Sequence, residues 1–299
     1  MASRPPSARA SSLRTQKTKQ LPSGARRVVG ARSGSGWGRW ALCGWLLLVL
    51  WLSAEYARLP DVSVLRTQHP RTTALMAQRA EEALEAGKKA RVRHVWVSLD
   101  AVAPHAVEAV LVSEDARFYK HEGVDWIEVE NALEQSVRKA RLGRGASTLT
   151  QQLAKNLYLS TDRSLLRKGK ELLIARRLEA QLSKQHILTL YLNVVEWGEG
   201  VYGIEAAARE HFGTSARELT VAQGAMLAAM LPAPRRWLPA QKPETLRTRA
   251  GIVVRRMERE GRINGAQARE AQAELSRFFG EPAAPASVVD AITRLRTGS

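Results

Sequence analysis

The most prominent feature of the hydrophobic pattern is an uncharged apolar run near the N terminus. Residues 40–54 (WALCGWLLLVLWLSA) carry no charged side chain. The run reaches roughly 18 residues if residues 37 and 38 are counted, which is long enough to cross a membrane. A cleaved signal peptide is the alternative, and residues 52–54 (LSA) would supply its cleavage site. The tryptophans of the run favour a resident helix, so we predict a transmembrane anchor over residues 40–55.

Beyond the anchor, apolar positions recur mainly at the three- and four-residue spacing of helices. Residues 72–89 are rich in alanine and glutamate and predict a helix, whereas only residues 94–99 (HVWVSL) have the composition of a strand. The periodicity predicts further helices over residues 104–112, 126–140, 148–158, 165–182, 184–193, 204–211, 218–231 and 244–259. The pattern therefore predicts a mainly α fold, with a loose tail over residues 280–299.

The net charge of +17 is distributed unevenly along the chain, and its position indicates which function it can serve. Residues 1–39 contain nine basic residues, no acidic residue, and much serine, glycine and proline. Such a segment cannot close a hydrophobic core, so we expect a disordered leader rather than a nucleic-acid-binding domain. By the positive-inside rule the leader stays in the cytoplasm, and everything after residue 55 is exported.

The sequence contains a single cysteine, Cys43, within the apolar run. No disulfide can therefore form within the chain, and no cysteine cluster can bind a metal. The exported part must be stabilised by its packed core.

The first segment with catalytic potential follows an apolar helix. Glu114 and Asp115 are adjacent carboxylates, and Phe118 and His121 come after them. An apolar wall would desolvate such a carboxyl group and raise its pKa, which suits a general base. The alternative is a helix end with two solvated acids, and this segment alone does not decide between them.

The second segment, residues 143–156 (GRGASTLTQQLAKN), is polar and flanked by glycine. Thr148 and Gln151 fit a capping box, so a helix should begin here with free backbone N–H groups in a phosphate-binding geometry. One face of that helix carries Gln151, Gln152, Lys155 and Asn156. Amide groups beside one lysine suggest a polar ligand, and a solvated helix surface is the alternative.

Cations dominate the third segment, which contains Arg163, Arg167, Lys168, Lys170 and Glu171. Arg167 and Glu171 are four residues apart and could form a surface salt bridge worth only about 0.3–0.5 kcal/mol. Together with Lys155, these cations could instead surround a doubly charged leaving group.

The fourth segment, residues 184–208 (KQHILTLYLNVVEWGEGVYGIEAAA), is interpreted mainly as scaffold. Ile187, Leu188, Tyr191 and Leu192 share one face of a predicted helix. The glycines that follow are typical of a turn.

Taken together, these segments resemble the peptidoglycan glycosyltransferases. This family comprises the transglycosylase domain of bifunctional penicillin-binding proteins and the monofunctional biosynthetic transglycosylases. Its patterns E-D-x-x-F-x-x-H-x-G, G-x-S-T-x-T-Q-Q-x-x-K-N, R-K-x-x-E and K-x-x-I-L-x-x-Y-L-N are met in order at residues 114–123, 145–156, 167–171 and 184–193.

The resemblance covers residues 93–260 and is weaker at its end. A fifth pattern, R-x-x-x-V-L, is met by Arg249 but ends on Val254 instead of leucine. Residues 196–198 (EWG) are more similar to the monofunctional members, and we expect no penicillin-binding domain after the fifth pattern. Ser136 and Lys139 match S-x-x-K, but no K-T-G follows, so this match is interpreted as coincidence.

The resemblance implies a mainly helical fold with a lysozyme-like large lobe and a smaller, membrane-associated jaw near residues 120–165. Composition and hydropathy predict a basic leader over residues 1–39, a transmembrane anchor over 40–55, a tether with a helix over 56–92 and a C-terminal helix with a tail over 261–299. The resemblance assigns residues 93–260 to a glycosyltransferase domain. The enzyme would be a single-pass protein of the bacterial inner membrane with a periplasmic catalytic domain.

The resemblance also implies the reaction, in which lipid II is the acceptor and a growing glycan on undecaprenyl diphosphate is the donor. Glu114 would take the proton of the GlcNAc 4-hydroxyl as that oxygen attacks C1 of MurNAc, with inversion to a β-1,4 bond. Glu171, the second catalytic candidate, would orient the cations or assist at the donor site. The substrate-binding candidates are Asp115, Phe118, Ser147, Thr148, Gln151, Gln152, Lys155, Asn156, Arg163, Arg167 and Lys168. His121 would either support the site or act in it directly.

The sequence requires no cofactor. A divalent cation, Mg²⁺ or Mn²⁺, could share the diphosphate charge, although no acidic cluster specifies a site for it. The expected partners are lipid II, the growing glycan and the membrane. Other cell wall synthesis proteins could also be partners, and no nucleic acid is expected.

Two alternatives stay open. A lytic transglycosylase or muramidase would use one glutamate on a similar fold to cleave glycan, but it must protonate a poor alkoxide leaving group, whereas clustered cations suit a diphosphate. A membrane-anchored protein that only binds anionic polymers or lipids would tolerate Glu114→Gln and lose binding when arginine or lysine is removed.

Overall fold

The computed structural model describes residues 37–139, 147–162 and 164–280. The chain divides into two compact units, one that ends at Ala57 and one that begins at Arg58. Most of the predicted basic leader and of the predicted C-terminal tail lie outside the described residues.

The described part of the first unit is a single helix, α1 (Trp37–Ala57). Its segment Arg39–Ala57 has a mean hydropathy of 1.5. An α-helix of 21 residues extends about 31 Å, close to the roughly 30 Å hydrocarbon thickness of a bilayer. α1 contains the whole run predicted over residues 40–55 and is compatible with a single-pass membrane anchor.

The second unit is mainly helical, as the apolar periodicity predicts. Its α-helices are α2 (Ala74–Glu85), α3 (Pro104–Glu114), α4 (Trp126–Lys139), α5 (Leu149–Tyr158), α6 (Leu165–Gln181), α7 (Lys184–Val194), α8 (Ile204–Phe212), α9 (Val221–Met230), α10 (Pro243–Arg259) and α11 (Gly265–Phe279). The predicted helices are confirmed, with small shifts at their ends. α9 begins at Val221 rather than at residue 218, because Thr220 and Gln223 form a reciprocal capping box there.

A small sheet contains three short strands in the order β1-β3-β2, namely β1 (Arg93–His94), β2 (Glu196–Gly198) and β3 (Val201–Tyr202). β1 runs parallel to β3, and β2 runs antiparallel to it. The strand predicted over residues 94–99 is therefore wrong beyond His94. The backbone N–H of Val97 donates to Oδ1 of Asn193, and Nδ2 of Asn193 donates to the Val97 carbonyl, both at 2.8 Å. A side chain thus takes the place of a strand partner.

Close packing of α3 against α9 fixes the position at which α3 ends. A Cβ on Gly224 of α9 would lie 2.8 Å from Cα of Ala106, so this approach requires glycine. Trp197 of β2 is fully buried, and its Nε1 donates to the carbonyl of Leu227 at 3.0 Å, which joins the sheet to α9. Ala109, Val110, Leu111 and Val112, close to the C-terminal end of α3, are also buried. The apolar core therefore positions the end of α3 that carries the first polar motif.

Candidate active site

Glu114 is the last residue of α3 and lies half-buried in a cleft of about 230 Å³. Its Oε2 accepts a hydrogen bond from Nε2 of Gln152 at 2.8 Å. Burial raises the pKa of the Glu114 carboxyl, and the neighbouring charge of Asp115 adds to this effect. Hydrogen bonds from Gln152 and Ser113 and the charge of Lys155 oppose it. Burial dominates because these groups do not replace the lost hydration of the carboxylate.

The Gln152 amide is oriented by Tyr191 of α7, which the sequence pattern assigned to scaffold. The Tyr191 hydroxyl donates to Oε1 of Gln152 at 3.1 Å, so the amide nitrogen faces Glu114. Burial, reinforced by the charges of Glu114 and Asp115, raises the pKa of Tyr191 well above its usual value, and the phenol therefore remains a donor. Tyr191 is a positioning residue for Glu114. Its sequence signal was the tyrosine of the fourth pattern, which periodicity interprets only as core.

Asp115 is buried and already engaged by protein donors. Its Oδ2 accepts from the backbone N–H of Leu149 at 2.9 Å, and Nε2 of His121 lies 3.0 Å from both carboxylate oxygens. The prediction of free N–H groups at the start of α5 is therefore wrong for Leu149 and also for Gln151, whose N–H donates to Oγ1 of Thr148. Asp115 lines the cleft, but its hydrogen bonds join α3 to α5.

Thr148 caps α5, but the predicted capping box is only half formed. The Gln151 side chain does not return to the Thr148 backbone; its Nε2 donates to the Gly123 carbonyl at 3.0 Å, and its Oε1 accepts from Nζ of Lys168 at 2.9 Å. Lys168 also donates to Oγ of Ser147 at 3.0 Å. Gln151 and Thr148 are 2% and 3% exposed, so they fix the start of α5 in place.

Arg167 and Lys168 of α6 converge on Glu171. Nη1 of Arg167 and Nζ of Lys168 lie 2.6 Å and 2.5 Å from its two carboxylate oxygens. The alternative of a surface salt bridge does not hold, because Glu171 is only 3% exposed. The Lys168 side chain remains 38% exposed and can also reach a ligand. A buried carboxylate thus fixes the positions of two cations.

Lys155 of α5 lies within electrostatic reach of both glutamates. Burial lowers its pKa, and the charges of Arg167 and Lys168 act in the same direction. The charges of Glu171 and Glu114 raise it, Glu171 more strongly. The described residues supply its ammonium with no hydrogen bond or ion pair. Lys155 is therefore a half-buried cation that is available to an anionic ligand.

The remaining candidates are placed differently. Phe118 is 1% and Asn156 is 4% exposed, so both belong to the packed interior. Nζ of Lys184 lies 4.3 Å from the centre of the Phe118 ring, which is a cation–π contact within the fold. A substrate would touch Phe118 or Asn156 only if the surrounding structure opened, and their binding role stays a prediction. Arg163 lies outside the described residues.

Polar residues that sequence reasoning missed line the same cleft. Arg117 pairs with Asp125, Nε to Oδ2 at 2.9 Å, and Arg256 of α10 also lines the cleft. The sequence carried a weak signal for Arg256, which lies two helical turns after Arg249 of the fifth pattern. Arg249 itself stacks on Trp237, with its guanidinium carbon 3.7 Å from the ring centre, and so supports the fold.

Asp115, His121 and Asp125 bring atoms that could bind a metal within 4.8 Å of one another. These atoms are largely occupied, since Asp115 binds His121 and α5, and Asp125 accepts from Arg117 and from the backbone N–H of Ile127. The guanidinium of Arg117 also places a positive charge against the cluster. The arrangement fits a hydrogen-bonded junction better than a divalent-cation site.

Known proteins resemble this chain over the same region. Residues 80–258 match the family model described as Transglycosylase. The chain is 44% identical over 189 residues to the biosynthetic peptidoglycan transglycosylase of Herminiimonas arsenicoxydans, a match that covers 63% of this chain and 82% of that protein. It is 44% identical over 216 residues to the protein of the same name from Rhodospirillum centenum, covering 72% and 87%. Penicillin-binding protein 1A from Haemophilus influenzae matches 62% of this chain and 18% of its own at 22% identity, with a TM-score of 0.37.

Proposed function

This chain belongs to the transglycosylase family, and from this premise we propose how its cleft extends a glycan strand. The chain is a peptidoglycan glycosyltransferase of cell wall synthesis, and its family implies glycan and lipid II as substrates. The lytic and binding-only alternatives are not favoured, because the similar curated proteins are named for biosynthesis.

Glu114 is assigned as the general base, and its half-buried carboxyl of raised pKa at the rigid end of α3 is the observation that supports this role. A raised pKa makes the carboxylate a stronger base once it is ionised. Glu114 takes the proton of the GlcNAc 4-hydroxyl of lipid II while that oxygen forms a bond to C1 of the donor MurNAc. The bond from C1 to the diphosphate breaks in the same step, which inverts C1 and gives the β-1,4 linkage.

The leaving diphosphate requires positive charge rather than a proton. Lys155, Arg167 and Lys168 are assigned to this task, because fixed cations stabilise charge that develops as the bond breaks. Glu171 acts as a positioning residue that holds Arg167 and Lys168 at 2.6 Å and 2.5 Å. Tyr191 and Gln152 hold the Glu114 carboxylate in one orientation.

The membrane topology is part of the same proposal. α1 anchors the enzyme in the bacterial inner membrane, with the basic leader in the cytoplasm and the catalytic domain in the periplasm, as the positive-inside rule favours. A polyprenyl tail stays in the bilayer, so the enzyme must act at its surface. A membrane-associated jaw near residues 120–165, beside a lysozyme-like lobe, is supported by exposed apolar side chains at Trp126, Leu133 and Leu165, which are 69%, 65% and 93% exposed.

The decisive experiment incubates the detergent-solubilised protein with labelled lipid II and separates the products by size. Glu114→Gln should lower the rate of polymer formation by roughly 10³-fold, within the range that a general base contributes. Glu108→Gln on the same helix is the matched control and should polymerise normally. Polymer from Glu114→Gln at the wild-type rate would contradict the role of Glu114. No polymer from the folded wild type would contradict the function itself.

A further inference from the structure

The chain that follows α1 packs into the second unit almost at once. Leu59, Val62 and Leu65 are 8%, 0% and 4% exposed and belong to the hydrophobic core of that unit. Three apolar side chains withdrawn from water hold so short a segment in place. Residues 59–66, which we call the brace, are therefore a packed part of the second unit.

Hydrogen bonds in both directions attach the brace to α6. Nη1 of Arg177, on α6, donates to the backbone carbonyls of Leu59 and Pro60 at 3.2 Å and 3.4 Å. In return, Nε of Arg66 donates to the carbonyl of Gln181, the last residue of α6, at 3.1 Å. The final carbonyls of a helix have no partner within it, so Arg66 satisfies one of them. These bonds fix the backbone of the brace as well as its side chains.

The helices that hold the brace also carry both parts of the candidate site. On α7, Nε2 of His186 donates to the carbonyl of Leu65 at 2.6 Å. Tyr191 follows His186 by five residues, about 7.5 Å along the helix. On α6, Arg177 follows Glu171 by six residues, about 9 Å. The brace is thus joined through regular helices to the cations assigned to the diphosphate.

The connection between the brace and α1 is very short. α1 ends at Ala57, and Arg58 alone separates it from Leu59. One residue spans at most about 3.6 Å of extended chain. A flexible linker of twelve residues would instead have a root-mean-square length of roughly 19 Å. The length of the connection therefore limits how far the brace can move from the end of α1.

We propose that the brace limits the height above the bilayer at which the diphosphate-binding cations can lie, with Arg177 and His186 as the positioning residues that attach it. The inference rests on the proposed function and anchor, because a lipid-linked diphosphate stays at the bilayer surface and the cations must meet it there. A short connection keeps the effective concentration of the site at that surface high. Neither residue touches the substrate, since both act through the brace.

The test lengthens the connection and leaves the brace intact. Twelve glycine and serine residues are inserted between Arg58 and Leu59 of the full chain. The same insert between Lys88 and Lys89, in an exposed loop after α2, is the matched control. Polymerisation of lipid II in liposomes should fall roughly tenfold with the first insert only, since effective concentration declines with linker length. A lipid II analogue with a tail short enough to dissolve without a bilayer should be polymerised by both proteins at the wild-type rate.

Arg177→Met tests the attachment of the brace. It should slow the reaction in liposomes about threefold, as expected for one lost hydrogen bond, and leave the reaction of the soluble analogue unchanged. Arg176→Met, at the adjacent exposed position, is the matched control and should behave like the wild type. Combined with the insert before Leu59, Arg177→Met should cause no further loss, because a loosened brace no longer matters once the connection is flexible. His186→Leu should follow the same pattern.

Thermal unfolding of each variant shows whether the second unit stays folded. A wild-type rate in liposomes for the insert before Leu59 would overturn the inference. Equal losses with both substrates, or an additive loss in the combined variant, would overturn it too, because the brace would then act on the fold or on the site itself. A folded wild type that polymerises neither substrate would contradict the proposed function instead, so the two failures are distinguishable.

Discussion

Glu114 and Glu171, the two glutamates of the candidate site, are both shielded from solvent, but different kinds of group contact their carboxylates. Glu114 receives a hydrogen bond from neutral Gln152, and burial raises its pKa. Glu171 lies between Arg167 and Lys168, which both contact it directly. A carboxylate without a directly bonded cation can exchange a proton, whereas one held by two cations is suited to hold them in place. The groups in direct contact, rather than burial, distinguish the proposed base, Glu114, from the residue proposed to hold the cations, Glu171.

Glu171→Gln should have the largest effect on stability among the variants that test this comparison. Arg167 and Lys168 would keep their charges without the carboxylate between them, so we expect the free energy of unfolding to fall by about 2 kcal/mol. Urea unfolding at neutral pH measures this change. Adding Arg167→Met should recover part of the loss, because one of the two unpaired charges is then removed while the hydrogen bonds of Lys168 to Ser147 and Gln151 are kept.

Glu114→Gln should change stability in the opposite direction. Because the pKa of Glu114 is raised in the folded protein, the folded state binds this proton more tightly than the unfolded chain does. The resulting stability is present below the unfolded pKa and is lost as pH rises through the folded pKa. At neutral pH, neutral glutamine should therefore raise Tm, and the gain should disappear in acid. A lower Tm for both variants would show that the two carboxylates do not differ as described.

Tyr191→Phe tests how the surroundings of Glu114 orient its carboxylate, without changing the charge of the site. The variant removes the donor to Gln152, so the amide loses its fixed orientation, and polymerisation should slow about fivefold, equivalent to one ordinary hydrogen bond. The measurement pairs the polymerisation rate with thermal unfolding. Tyr158→Phe on α5 is the matched control. Loss of stability at an unchanged rate would leave Tyr191 with a packing role only.

Local signals in the sequence predicted the helices because caps and apolar periodicity act within a few residues. Thr148 capped α5 where expected, and α7 buries the face predicted for it. The strand prediction failed at Val97 because its hydrogen-bond partner, Asn193, is 96 residues away. Side-chain pairing over such a distance depends on the assembled fold and has no local pattern.

The same limit applies to the candidate site. Glu114, Lys155 and Glu171 could be chosen from their motifs, since the chemistry needs those residue types. The hydrogen bond from the backbone N–H of Leu149, at the start of α5, to Asp115 could not be predicted, because the two residues are 34 positions apart in the sequence. The hydrogen-bond partner of the Tyr191 hydroxyl could not be predicted either, since helical periodicity indicates that the ring is buried but not which group its hydroxyl contacts.

The smallest expected effect concerns the pH dependence of the proposed base, Glu114. Gln152 lowers the pKa of Glu114 through its hydrogen bond and so opposes burial. Gln152→Met removes that donor at similar volume, and the pKa should rise further. Glu114 must be ionised to accept a proton, so activity is lost as pH falls through this pKa, and the acid limb of kcat/KM should move to higher pH.

Gln185→Met, at an exposed position of α7, is the matched control and should leave the acid limb in place. Lys155→Met should move the limb in the same direction as Gln152→Met, because the charge of Lys155 also lowers the pKa of Glu114. It should additionally lower kcat, since Lys155 is assigned to the diphosphate. An acid limb that stays fixed in both Gln152→Met and Lys155→Met would mean that another group titrates. Glu114 would then not be the general base. The difference between the partners of Glu114 and those of Glu171 would then be unrelated to catalysis.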